Sequence, residues 1–400
     1  MRYSQKLQRL DHLLRAYQWL WQPQPFKQQR PPWCDRLPIL HEQLLGLSDD
    51  TLSAAQGDQA ALLALLTPHL PELSGLGVLT TVADAPLCAL TPLNPRFHAA
   101  IPGRKWQQVQ AFSAATGEIK RPILEWCGGK GHLGRLMAAQ WQQPVTTLEW
   151  QASLCQAGVQ LAKRSQVKQS FKVVDVLTPL PNSLIQRQHA VALHACGELH
   201  RSLIRQAVAH QLPALDIAPC CYYRIPGNIY TPFNEALVLR PDHNALRLAV
   251  TEAVTASPRE LAWRDREMAW KLAYELILQQ QLGLPYQPIK PINKQWLRGD
   301  FKAFCQNLAQ RDGYKLPENV DWQHYQTAGQ QRQGETMRLS LPRFAFRRAL
   351  EMWLVLDMAC YLERSDYTVS VSRFCDRALT PRNLLLSARK LSTPPTGVAR

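Results

Sequence analysis

Ile123-Leu124-Glu125-Trp126-Cys127-Gly128-Gly129-Lys130-Gly131-His132-Leu133 is the stretch on which the reading of this chain turns. A short apolar run ends near an acid, passes through a glycine-rich turn and enters a helix-forming segment. Glycine lets backbone amides approach a ligand without side-chain obstruction, and a helix N-terminus adds its partial positive charge. The pattern predicts a strand, a ligand-binding turn and a helix. It puts Glu125, Cys127, Gly128, Gly129, Gly131, His132 and Leu133 around the ligand.

On either side the alternation continues. A helix over 104–116 leads in, and strands are expected at 121–126, 145–149, 171–175, 189–195 and 214–219, with helices after most of them. Short apolar strands separated by helices make a parallel sheet covered on both faces. Further on, Ala349–Glu363 has the pattern of an amphipathic helix. Tyr367–Phe374 and Asn383–Lys390 look like strands joined by the turn Leu379-Thr380-Pro381-Arg382-Asn383. That ending, with a last strand inserted antiparallel, gives the expected fold class: an α/β, Rossmann-like class I methyltransferase sheet with an antiparallel terminal hairpin. A helical N-terminal region and a helical insertion accompany it.

Acids at strand ends select the ligand. Glu149 closes the second predicted strand, where a carboxylate can accept both ribose hydroxyls of an adenosine. Asp175, with Val176 beside it, closes the third, where an acid receives an adenine amino group. A nicotinamide dinucleotide would use the same ribose acid. Asp175 and the terminal hairpin favour S-adenosylmethionine as the cofactor.

The fourth and fifth strands end in Leu193-His194-Ala195-Cys196-Gly197-Glu198 and Pro219-Cys220-Cys221-Tyr222-Tyr223. Ligands of parallel sheets lie beyond the strands' carboxyl ends, so His194, Cys196, Cys220 and Tyr222 are expected to line the transfer site, with His194 also touching the cofactor. Methyl transfer from a sulfonium needs in-line positioning more than acid–base strength. His194 either orients or deprotonates a nucleophile, or only fixes the loop. Cys196, Cys220 or Cys221 could attack a pyrimidine, or all could be packing. A metal or iron–sulfur site from Cys127, Cys196, Cys220 and Cys221 would lack the usual ligand spacing, so no metal is expected.

These motifs resemble a family. EWCGGKGHL (Glu125–Leu133), HACGEL (His194–Leu199), PCCY (Pro219–Tyr222) and LTPRN…ARK (Leu379–Asn383, Ala388–Lys390) look like the methyltransferase-like twenty-five group. They are also similar to the methyltransferase portion of the glutathione-S-transferase C-terminal-domain-containing protein. The GKG, HxCG and CC motifs resemble those of the tRNA 2′-O-methylase acting in the acceptor stem. Tyr222 and Tyr223 stand where that enzyme has histidines, and no zinc-knuckle cysteines precede the core. The resemblance, over about 104–224 and 350–400, implies a class I fold, S-adenosylmethionine and an RNA substrate, with the 2′-hydroxyl as one acceptor.

The bulk numbers agree with a polyanionic partner. In 400 residues, 46 Lys and Arg against 31 Asp and Glu leave a formal charge of +15, the footprint of a nucleic-acid binder such as a tRNA or rRNA enzyme. Basic residues interleave with aromatics at Trp263, Arg264, Arg266, Trp270 and Lys271, and again at Lys294, Trp296, Arg298, Phe301 and Lys302. These suit either base stacking or a helix face whose tryptophans turn inward. Three parts are expected: a helical accessory region over 1–100, the methyltransferase domain over 101–221 and 350–400, and a basic, mostly helical insertion over 222–349. The insertion reads as helical from Ala245 to Gln281. Ten cysteines without a CxxC pair read as reduced thiols. With no apolar run to span a membrane and no signal-peptide stretch, a cytoplasmic protein is expected, with no obligate protein partner evident. The competing readings are an inactive RNA-binding protein on the same fold and a methyltransferase for a protein or small molecule.

Overall fold

Seven strands form one sheet in the order β3-β2-β1-β4-β5-β7-β6. In chain order they are β1 (Ile123–Trp126), β2 (Val145–Glu149), β3 (Gln169–Val173), β4 (His189–Cys196), β5 (Ala214–Cys220), β6 (Tyr367–Arg373) and β7 (Leu384–Lys390). Strands β1 to β5 pair in parallel, and β7 runs antiparallel between β5 and β6. This is the class I methyltransferase architecture. The computed structural model describes residues 1–99, 101–185, 187–252 and 257–391.

Local sequence explains the order. Ile123-Leu124-Glu125-Trp126 is buried throughout, as a strand with neighbours on both edges and helices on both faces must be. β6 alternates buried and exposed residues, the pattern of an edge strand. Its free side is partly covered. Arg373 exchanges backbone hydrogen bonds with Ala83 and Ala85, and the Val371 amide donates to the Tyr3 hydroxyl. Covering an exposed edge removes a template for unwanted pairing.

The helices of this part are α1 (Tyr3–Ala16), α2 (Gly103–Thr116), α3 (His132–Trp141), α4 (Ala152–Arg164), α5 (Glu198–Ala209) and α6 (Arg347–Arg364). A core of Val109, Phe112, Ile123, Leu136, Met137 and Val191 joins α2 and α3 to the sheet. α1 is fixed by one carboxylate. Buried Asp11 accepts hydrogen bonds from the Val238 and Leu239 amides and from Trp353 Nε1 on α6.

The chain divides into two units, and the division differs from the three expected parts. One unit joins Met1–Arg15, Gly77–Thr255 and Arg347–Arg400; the other joins Ala16–Leu76 and Ala256–Phe346. The reason is packing that sequence periodicity does not reveal. Within the second unit, Arg332 donates to the Pro25 carbonyl in the proline-rich break, and Arg338 donates to the Leu47 carbonyl and pairs with Asp49. Its long helices Pro258–Leu282 and Trp322–Leu339 approach closely at Gly329, where a Cβ would lie 2.5 Å from the Ala269 carbonyl oxygen.

The interleaved aromatics of that unit turn inward. Trp270 and Phe301 are buried with Tyr274, Phe304 and Leu308, and Trp263 and Trp296 pack against the same core. The expected helical span from Ala245 contains two helices, His243–Leu248 and Pro258–Leu282; residues 253–256 between them lie outside the described residues, as do 392–400. Among the described residues, no helix is long and apolar enough to cross a membrane.

Candidate active site

The glycine turn leaves β1 through three left-handed residues. Cys127, Gly129 and Gly131 have φ of 53°, 61° and 66°. Cys127 holds a conformation that a side chain makes costly, and such strain persists only where the surroundings enforce it. The Gly128 amide donates to Leu148, and the Gly131 amide to Gly128. Gly131 then caps α3, whose first residue is His132. A Cβ on Gly131 would lie 2.3 Å from Gln169 Nε2 and 2.6 Å from the Phe171 ring, so only glycine fits.

Beneath the turn, buried Glu125 and Thr147 meet the half-buried Gln169. Glu125 Oε2 accepts from Thr147 Oγ1 at 2.7 Å and from Gln169 Nε2 at 3.3 Å. Burial pushes the Glu125 carboxyl up to about 7, against the lowering effect of these hydrogen bonds. Glu125 supports the loop from below and borders the cavity above it.

That cavity encloses about 230 Å³ and is bordered by Glu125, Cys127, Gly128, Gly129, His132 and Leu133. Leu193 and His194 close its far side, and Lys105, Gln108 and Val109 of α2 supply a further wall. The α2 contribution was not foreseen; its only sequence signal is a helix directly preceding the glycine loop. A larger open groove of about 770 Å³ runs beside Gln5, Arg9, His12 and Leu79, away from these residues.

Two strand-end acids flank the loop. Glu149 is buried and accepts from the Gly129 amide. Asp175 lies two residues past the end of β3, exposed, with Oδ1 accepting from the Leu177 amide. β3 begins and ends two residues earlier than expected, because polar Gln169 and Ser170 pair with β2. Val176 is buried, and its carbonyl accepts from Ser202 and Gln206 on α5. Cys127 senses both acids: burial first, then Glu149 and Asp175, push its thiol up to about 12, so it is a neutral thiol.

The ends of β4 and β5 converge, and of the residues there Leu193 and His194 border the cavity. His194 has φ of 64°, and its Nε2 lies 3.1 Å from Gln108 Oε1. Burial pushes His194 down to about 4, and the charges of Lys105 and Arg382 act in the same direction. The imidazole is therefore neutral at neutral pH. Cys196 and Cys220 have sulfurs 3.5 Å apart, and Cys221 joins them. Hydrogen bonds from Cys196 and Cys220 hold the Cys221 thiol far below its usual range, while Cys220 is raised.

Tyr222 departs from the expectation that it lines the transfer site. It is 2% exposed, its ring edge meets His200, and its hydroxyl lies 3.4 Å from the Pro219 carbonyl and from Glu351 on α6. The left-handed turn at Cys221 swings the following residue into the core. Its role is to support the strand end from behind.

The residues present fit an adenosyl sulfonium. A cavity floored by glycine backbone and walled by Val109 and Leu133, with the Glu149 carboxylate bonded to Gly129 of that floor, matches a nucleoside with an apolar base and a polar ribose. Residues 104–228 match a family model described as a methyltransferase domain. A search of curated protein sequences found no match. Among solved structures, the chain is similar to an O-methyltransferase family protein from Burkholderia thailandensis, with 11% identity over 84% of this chain and 71% of that one and a TM-score of 0.31. It is also similar to the tRNA (uracil-54, C5)-methyltransferase of Pyrococcus abyssi, with 15% identity over 28% of each chain and a TM-score of 0.24. The 23S rRNA methyltransferase ErmE aligns at 12% identity over 52% of this chain and 98% of that one, with a TM-score of 0.25. This chain thus covers less than a third of the uracil-54 enzyme, and likenesses this low say nothing of substrate. The matched segment contains the glycine loop, both strand-end acids and the two strand-end clusters: the chain carries a methyltransferase domain over these residues, and its cavity fits S-adenosylmethionine as the methyl donor.

Proposed function

We propose that this methyltransferase acts on RNA, a tRNA or rRNA, and transfers the methyl group to a ribose hydroxyl or a base atom. The observation that carries the reading is the charge around the cavity. Lys105 borders the cavity; after burial, the charges of Lys105, Arg135 and Lys130 lower His132 and those of Lys105 and Arg382 lower His194, and Arg224 acts on Cys196 and Cys221. Lys105, Lys130 and Arg224 are exposed. A cleft ringed by cations attracts a phosphate backbone and repels cationic protein tails.

In this reading Glu149, Asp175 and the backbone at Val176 hold the donor, with Glu125 and the turn Cys127–Leu133 shaping the pocket. Bound there, S-adenosylmethionine supplies an electrophilic methyl group. Cys196 and Cys220 border the acceptor side, and His194 contacts it. With Gln108 Oε1 as its acceptor, His194 Nε2 carries the hydrogen and Nδ1 is left to accept one from the acceptor group. A base this weakly basic contributes orientation more than proton affinity. Walls of Val109, Leu133 and Leu193 exclude water from the reacting atoms.

The test is label transfer from tritiated S-adenosylmethionine to total RNA and to total protein. Counts that RNase removes and protease spares support the reading; counts that only protease removes overturn it. A parallel salt titration of RNA binding should give a steep linear fall of log affinity with log salt.

A further inference from the structure

Cys196 ends β4 and Cys220 ends β5. They are partners in the parallel ladder, with sulfurs 3.5 Å apart. Cys221 follows at once, and all three sulfurs lie within 4.8 Å of one another. Successive residues of a strand face opposite sides of the sheet, so two adjacent cysteines ordinarily diverge. Here a left-handed φ of 46° at Cys221 undoes the alternation. On β4 a register shift between Leu193 and Cys196, with His194 also left-handed, brings Cys196 to meet them.

The backbone around the trio is held tightly. The Gly197 amide donates to Cys220, Arg224 to Cys221 and Glu198 to Arg224. A Cβ at residue 197 would stand 2.1 Å from the Arg224 carbonyl oxygen, so this crossing exists only because the residue is glycine. Cysteines that merely fill a core need no such arrangement. Strained residues fixed by their surroundings cluster at sites that bind or react.

We propose that Cys196, Cys220 and Cys221 form a three-thiolate site for a zinc ion, whose fourth position is open to water or to an atom of the bound acceptor. Sulfurs on a tetrahedral zinc at ~2.3 Å stand ~3.8 Å apart, close to the spacing already present. A disulfide needs sulfurs at ~2.05 Å and would pull one cysteine out of the trio. Cys220 is buried while Cys196 and Cys221 are half-buried, which leaves the ion one side of approach. Arg224, exposed beside Cys196 and Cys221, offsets part of the thiolate charge. Three protein ligands with one free position is the arrangement of zinc sites that exchange a ligand. The inference does not depend on RNA being the substrate.

Full-length protein, kept reduced, should retain about one zinc ion per chain after gel filtration. Cobalt in its place should give the intense visible bands of tetrahedral thiolate coordination. Cys196→Ser, Cys220→Ser and Cys221→Ser should each lose most of the metal, while Cys155→Ser keeps it. Because a serine variant could misfold, the wild-type chain carries a second measurement: added zinc should slow alkylation of these three cysteines and not of Cys88 or Cys375. A reduced chain that retains no zinc and whose three thiols alkylate at the same rate with and without it overturns the proposal. So does a Cys196–Cys220 disulfide found by peptide mass spectrometry in protein prepared with zinc under reducing conditions.

Discussion

Glu149 holds Gly129: one carboxylate oxygen accepts the glycine amide at 3.0 Å, while the other accepts the Gln151 amide at 3.0 Å. A single side chain at the exit of β2 thus ties the glycine turn of β1 to the start of α4. Glu149→Ala should remove both the proposed ribose contact and this tie. Hydrogen bonds to charged groups are worth about 1.5–3 kcal/mol, so the dissociation constant for S-adenosylmethionine should rise ~10–100-fold in calorimetry. Glu149→Gln, which keeps one accepting oxygen, should fall between. Wild-type affinity in the alanine variant would remove Glu149 from the donor site.

Gly131 has a tighter constraint. Its φ of 66° and the 2.3 Å that a Cβ would leave to Gln169 make Gly131→Ala strained and overpacked together. A loss of about 2–4 kcal/mol is expected in denaturant unfolding, with weaker donor binding. Gly227→Ala, with φ of 70° and open space around it, should cost less. Equal losses in the two would mean that backbone conformation alone matters and that the contact to Gln169 is irrelevant.

Acid should destabilise the sheet unit through its buried histidines. Burial pushes His200 from 6.5 down to about 4, and His132 and His194 behave alike. A folded-state value below the unfolded one means that the unfolded chain binds the proton first as pH falls. The stability contributed by the neutral ring is complete above 6.5 and is lost between 6.5 and about 4. For His200 alone the loss on going from pH 6.5 to about 5 is on the order of 2 kcal/mol. His200→Gln, which can still donate to the Ala195 carbonyl that His200 Nδ1 meets, should flatten that limb of the pH–stability curve. An unchanged slope would show that His200 titrates normally.

Tyr222→Phe tests the buried placement. Its hydroxyl has only long contacts, at 3.4 Å, so the variant should keep methyl-transfer kcat within about threefold and lose under about 1 kcal/mol of stability. A collapse of kcat with intact folding would return the hydroxyl to the reacting atoms.

The sheet was legible because β1, β2, β4 and β5 hold short apolar runs with a glycine, acid or proline at or near their ends; β2, β4 and β5 begin where the pattern predicts. β3 is an edge strand whose pairing uses Gln169 and Ser170, polar residues that carry no apolar signal, so its limits slipped by two residues and Asp175 moved into the turn. Tyr222 misled for another reason. Alternation says which face a strand residue occupies, and a left-handed Cys221 cancels it. Nothing in the sequence of Met1–Arg15 signals that Asp11 caps the amides at Val238 and Leu239, because its partners lie far along the chain. The interleaved tryptophans of 263–301 show the same limit: composition cannot tell a stacking platform from a core.

The position of β7 has a bearing on how the protein is made. β5 is translated well before β7, its neighbour in the finished sheet, because residues 221–383 lie between them. Until then the ribosome carries a nascent chain with an open, apolar strand margin, Ala214-Leu215-Asp216-Ile217, the kind of surface on which chains clump or recruit chaperones. Truncation anywhere before Leu384 would leave that margin bare for good.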